Sequence, residues 1–237
     1  MLPQPEDRPT ETSDFTIALP LRVAGFSEAQ ARAAQEVGIL VGGLFALLWA
    51  MPILDTPYPI RYATGAALLA FVLRRLGNEG VAAADLGLAW STFLPALRRL
   101  ALPTAIGVVA LLSLGWALDG LRVPQKSLRS WMFLPLWAFL QQFLLLAFCH
   151  RRLRLLSGRG LPAACASALL FGVIHAPNPT LMIACSLAGF IWAAQFERLP
   201  NLYAIALSHA LLSTCLSNSL PKSILASMRV GYRYLVH

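Results

Sequence analysis

Apolar residues in this chain gather into long runs with few or no charges, separated by short polar or arginine-rich stretches. An apolar helix of ~20 residues matches a hydrocarbon core ~30 Å thick, and seven runs approach that length. They cover Val37 to Ile53, Pro59 to Val72, Leu100 to Leu118, Met132 to Cys149, Leu161 to Ala176, Leu181 to Phe196 and Leu202 to about Leu216. Pro95 and Pro103 are expected to kink the start of the third. The pattern predicts an all-α, polytopic membrane helix bundle of about seven transmembrane helices, with amphipathic segments at both ends.

Outside the runs, residues 1–25 mix Pro3, Pro5 and Pro9 with Glu6, Asp7, Arg8, Glu11 and Asp14 and read as a disordered tail. Ser27 followed by Gln30 suits a capping box, so an amphipathic helix should lead into the first span. Residues 26–220 form the expected transmembrane domain, with a core over about 85–220. Residues 221–237 alternate Ile224, Leu225, Met228 and Leu235 with Lys222, Arg229 and Arg233, as an interfacial segment would.

Composition agrees with a membrane protein: 57% of the 237 residues are hydrophobic and only 13% are charged. The formal charge of +8 could suggest nucleic acid, but the basic residues lie between apolar runs rather than on one soluble face. Arg74, Arg75, Arg98 and Arg99 flank one connection, and Arg151, Arg152, Arg154 and Arg159 fill another. By the positive-inside rule these loops and the N-terminus face the cytoplasm of a bacterial inner, plasma-type membrane. Arg122, Lys126 and Arg129 run against that assignment.

Close helix packing in lipid relies on small residues. Three stripes at a spacing of four supply them: Gly38, Gly42 and Ala46; Ala164, Ala168 and Gly172; and Cys185, Gly189 and Ala193. The four cysteines show no CxxC pairing and read as small packing residues rather than a disulfide framework.

The chemistry is concentrated in uncharged polar residues within the runs. Gln141 and Gln142 stand in mid-span, about 100° apart on a helix, so at least one faces the bundle. Phe171 and His175 share a face just before Ala176-Pro177-Asn178-Pro179 ends the helix. His209 and Ser213 share a face of the last run, beside Ser208. Interhelical hydrogen bonding explains such residues as readily as a site does. Two histidines on separate spans with a glutamine pair, however, favour a functional reading.

The order of these elements resembles the CPBP family of intramembrane proteases, also called the CAAX-protease or bacteriocin-processing family. Its pattern is EExxxR, then FxxxH, then HxxxN or HxxxD. Phe171 to His175 fits the second motif, and His209 to Ser213 fits the third except that serine replaces the amide or acid. Gln141-Gln142 stands in place of the glutamates, and Leu146 in place of the arginine. The similarity runs over roughly Asp85 to Tyr234.

The resemblance implies hydrolysis of a peptide bond in a membrane-associated substrate by activated water. Gln141, beside Gln142, would occupy the base position and His175 would be its partner; His209 and Ser213 would lie in the oxyanion region, with Phe171 and Asn178 beside the substrate. A glutamine amide is not basic, so a histidine would have to take the proton. Glu197, the one carboxylate after Asp119, reads as a surface partner of its neighbour Arg198. The alternative is a catalytically silent relative that binds a membrane peptide, lipid or protein. No cofactor is expected; zinc is disfavoured because two intramembrane histidines alone fall short of three ligands, and although Cys165 or Cys215 could complete the set, no HExxH-like spacing favours it. A transporter would show repeat symmetry between two halves, which the sequence lacks.

Overall fold

The protein was analysed as a computed structural model that describes residues 26–123 and 128–236. The expected N-terminal tail, residues 1–25, lies outside the described residues, as does Lys126. Among the described residues all regular structure is helical.

Seven long helices follow the seven apolar runs in order. Helix α1 spans Glu28–Ile53. It begins at the foreseen capping box: the Ser27 side chain accepts from the Gln30 backbone N–H, and the Gln30 side chain accepts from that of Ser27. The amphipathic lead-in and the first span are thus one continuous helix, nine residues earlier than the apolar run alone implies. Helix α2 is Tyr58–Asn78 and α3 is Phe93–Ala117. Pro95 sits in the first turn of α3, where a missing N–H costs nothing, and the helix continues through Pro103.

Helix α4, Leu128–Gln142, widens into a π-helical stretch at Phe143–His150 before resuming as Arg151–Ser157. The widening starts immediately after Gln142. Helices α5 (Leu161–Ile174), α6 (Pro179–Arg198) and α7 (Leu202–Ser219) complete the bundle. Two short helices, α8 (Lys222–Leu225) and α9 (Tyr232–Leu235), form the C-terminal segment.

Among the described residues four elements are long and apolar enough to cross a membrane alone: Glu28–Ile53, Trp90–Ala117, Phe133–Ser157 and Pro179–Arg198. Helix α5, with 14 residues, is shorter, and α7 is polar in part because it lies inside the bundle, with Ser208, His209, Thr214 and Ser219 buried. Leu102, Ile106, Val109, Leu169, Ile183 and Leu187 are large apolar side chains left exposed, as lipid contact requires. The chain is an integral, polytopic helical membrane protein.

Small residues build the α5–α6 pair, the most extensive helix contact. A Cβ on Gly172 would run into the Ser186 hydroxyl and lie 2.8 Å from the Met182 carbonyl; one on Gly189 would stand 3.2 Å from the Phe171 ring. The stripes of α5 and α6 therefore interlock. The α1 stripe does not: a Cβ on Gly38 or Gly42 would meet nothing within 4 Å. On that helix the close approach belongs to Gly43, which faces Leu68 of α2.

Arginines tie the bundle together at one end. Buried Glu36 of α1 accepts from Arg75 of α2 and from Arg152 Nε at 2.8 Å, and Arg152 also pairs with Glu79. Arg152 is only 3% exposed and lies over the Phe148 ring. At the opposite end Arg122 donates to the Ser217 and Leu220 carbonyls, at 3.0 and 2.6 Å. Its charge is thus spent on the C-terminal carbonyls of α7, which accounts for its departure from the loop-charge pattern.

Candidate functional site

Four helices converge on His209. Gln142 of α4 is fully buried, and its Nε2 lies 3.0 Å from His209 Nδ1. The Trp192 ring of α6 stacks on the imidazole at 4.7 Å with an interplanar angle of 28°. Phe171 of α5 packs edge-on at 5.8 Å, and the same ring meets His175 at 4.9 Å. Phe171 therefore touches both histidines, and these side chains together enclose His209.

Helical spacing explains each placement. His209 lies on the inward face of α7 with Ser208, whose hydroxyl accepts from Trp192 Nε1 at 3.1 Å and meets Thr104 of α3 at 2.7 Å. That network fixes the indole, and the indole fixes the imidazole. Trp192 was not singled out from the sequence. Its signal is position: it follows Gly189 by three residues, one turn along the stripe that packs on Phe171.

Hydrogen bonding assigns the ring protons. His175 Nδ1 lies 2.7 Å from the Phe171 carbonyl, which can only accept, so Nδ1 carries the proton and Nε2 keeps a free lone pair. With the Gln142 amide nitrogen donating to His209 Nδ1, the His209 proton sits on Nε2. Gln142 Oε1 is then buried without a partner. Rotating the amide would reverse the pattern, moving the His209 proton to Nδ1 and leaving the Gln142 NH2 over, so one end of the amide is unpaired either way. An unpaired buried polar atom costs about 1–3 kcal/mol, a penalty that a bound N–H group or water removes. The enclosure thus offers two acceptors, His175 Nε2 and Gln142 Oε1, and one donor, His209 Nε2.

The remaining expected residues take other positions. Gln141 is half-buried and makes no hydrogen bond among the described residues, so Gln142 is the inward member of the pair. Ser213 lies one turn beyond His209, half-buried and likewise without a hydrogen bond among the described residues. Asn178 is fully buried and occupied: it caps α6 by accepting from the Leu181 N–H at 3.1 Å, and it donates to the Leu225 and Arg229 carbonyls at 2.9 and 3.1 Å. The structure gives it the work of a cap and a tether for the C-terminal segment.

Glu197 is not a surface partner of Arg198. It is gathered by three other donors: His150 Nε2 at 3.1 Å, Arg154 Nε at 3.4 Å and the Gly160 N–H at 3.2 Å. His150 is fully buried, and its Nδ1 meets Ser167 Oγ at 2.8 Å. This Ser167-His150-Glu197 chain has the bonding order of a nucleophile, base and acid. Ser167 has no exposed surface, however, so no carbonyl can reach it, and the chain serves to cross-link α4, α5 and α6. It also engages the carboxylate closest in sequence to the site, leaving the His209 enclosure without an acid among the residues that form it.

Among the described residues no group of three or more His, Cys, Asp and Glu side chains is placed to hold a metal ion. The four cysteines are free; Cys149 is buried in the packing, whereas Cys165 is exposed.

The family model described as type II CAAX prenyl endopeptidase Rce1-like matches residues 128–215, from the first residue of α4 to Cys215. That segment contains Gln141, Gln142, Phe171, His175, Trp192, His209 and Ser213, and is narrower than the stretch from Asp85 to Tyr234. No curated protein and no solved structure matches the chain.

Proposed function

We propose that the chain, whose residues 128–215 match the family model described as type II CAAX prenyl endopeptidase Rce1-like, is a member of that family that holds a peptide segment of a membrane-anchored protein in the His209 enclosure without hydrolysing it. The observation that carries this reading is Gln142, buried and bonded to His209 where a hydrolase needs a proton acceptor. An amide orients a water or a peptide group, but it does not take the proton from an attacking water. General base catalysis contributes roughly 10²–10⁴-fold, and that contribution is missing from this position.

The same geometry suits binding. A peptide group presents one N–H and one C=O; once α4 and α7 part to admit it, since Gln142 is fully buried, Gln142 Oε1 accepts the first and His209 Nε2–H donates to the second. The aromatic walls of Phe171 and Trp192 exclude water, which strengthens both bonds. The bilayer is assigned on the same footing: a multi-pass protein of a bacterial plasma-type membrane, its arginine-rich end and N-terminus on the cytoplasmic side, using no cofactor.

A second reading, hydrolysis with His175 as the base, is favoured by the free lone pair on its Nε2. Against it stands the absence of a counter-charge: an imidazolium forming beside Phe171 finds no carboxylate in the enclosure, and an uncompensated charge in apolar surroundings is costly.

The test uses full-length protein in proteoliposomes with membrane-anchored and prenylated peptides. Saturable crosslinking to α4 or α7, weakened by His209→Ala and accompanied by no cleaved product, supports binding. Cleavage by the unmodified protein, abolished by His175→Ala, supports hydrolysis.

A further inference from the structure

At the arginine-rich end of the bundle, remote from the His209 enclosure, lies an open cavity of about 350 Å³ between the start of α1, the end of α2 and the turn after α4. Five guanidinium groups line it, those of Arg32, Arg151, Arg152, Arg154 and Arg159, against the carboxylates of Glu36 and Glu79. The carboxylates are already committed. Glu36 is bridged by Arg75 and Arg152, and Glu79 pairs with Arg152. Arg154 is held by Glu197 outside the lining.

That leaves three cationic groups without a hydrogen bond or ion pair among the described residues, of which Arg151 also feels the carboxylates of Glu79 and Asp85. Arg32 and Arg159 make no hydrogen bond or ion pair among the described residues. Arg151 has its Nε enclosed and unbonded. Convergence of unpaired guanidiniums in a concave site is unfavourable unless an anion joins them, and their forked N–H groups match the oxygens of a phosphate. One wall of the cavity is Leu155, an apolar side chain 53% exposed.

The geometry points to a binding site for a phosphate-bearing anion in this cavity, held by Arg32, Arg151 and Arg159. Two sources share that chemistry, the headgroup of an anionic phospholipid and free phosphate. Basic pockets between transmembrane helices at a bilayer surface are suited to the first, and the exposed Leu155 wall agrees with it. The buried pair of Arg152 and Glu36 forms the floor of the site and ties occupancy to the packing of α1, α2 and α4.

The test measures binding of phosphatidylglycerol, phosphatidylcholine and inorganic phosphate to the purified full chain in detergent. The unmodified protein is compared with Arg32→Gln/Arg151→Gln/Arg159→Gln and with Arg98→Gln/Arg99→Gln, which removes exposed charge from α3. Phosphatidylglycerol is expected to bind saturably and to weaken about fivefold for each cavity arginine replaced, with the α3 variant unchanged. Saturable binding of phosphate that displaces phosphatidylglycerol supports the same site with free phosphate as its ligand. Equal binding by the triple variant and the unmodified protein, an equal loss in the α3 variant, or no preference over phosphatidylcholine would overturn the proposal.

Discussion

Gln142 Nε2 and His209 Nδ1 meet at 3.0 Å between two helices, in a position closed to solvent on every side. The bond joins α4 to α7 and sets which nitrogen of His209 faces the cavity. Replacing Gln142 with alanine removes the bond, leaves Nδ1 unpaired and opens a void. A loss of about 1–3 kcal/mol is expected from the unpaired atom alone. Gln141→Ala, at a half-buried position without a hydrogen bond, is expected to change stability by less than about 0.5 kcal/mol. Thermal unfolding of the two variants in one detergent checks the contrast, and equal losses would contradict it.

Glu36 is the hub of the arginine-rich end. Glu36→Gln takes one of its two carboxylate partners from Arg152, which is 3% exposed and keeps Glu79, so the loss should fall below the about 3–5 kcal/mol of a buried pair broken from one side. Adding Arg152→Met removes the under-compensated charge, so the double variant is expected to recover part of the loss. A double-mutant cycle of unfolding free energies reads this coupling.

Small residues differ by face. Gly172→Ala drives a methyl group into Ser186 and the Met182 carbonyl, so separation or distortion of α5 and α6 is expected, with loss of folded protein on size-exclusion chromatography. Gly38→Ala meets open space and should be neutral or stabilising, since alanine favours a helix by about 1 kcal/mol over glycine.

Asn178→Ala removes both the cap of α6 and the two bonds to the C-terminal segment. Loss of a cap costs about 0.5–2 kcal/mol. Limited proteolysis should then cut near residues 222–229 faster than in the unmodified protein.

The seven apolar runs were enough to lay out the helices, because length and lack of charge are properties of single segments. The capping box at Ser27 and Gln30 was legible for the same reason. What the sequence withheld depends on how segments face one another. The Gly38, Gly42 and Ala46 stripe has the same spacing as those of α5 and α6, yet its two glycines face open space. Choosing Gln142 over Gln141 required the rotation of α4, and Glu197 required the folding of α5 and α6 against His150. The π-helical stretch at Phe143–His150 has no signature in the apolar pattern. His175 and His209 were visible as intramembrane ionisable groups, but Trp192 and Ser208, which hold His209 in place, take meaning only from contact.

The central claim is that hydrolysis is withheld by the amide at position 142. The most direct measurement is product formation from a membrane-anchored peptide by the unmodified protein, Gln142→Glu and Gln141→Glu/Gln142→Glu in matched proteoliposomes. No cleavage by the unmodified chain and cleavage on restoring the carboxylate, lost again on adding His175→Ala, is the predicted result. Cleavage by the unmodified chain at a rate that neither glutamate changes would contradict it.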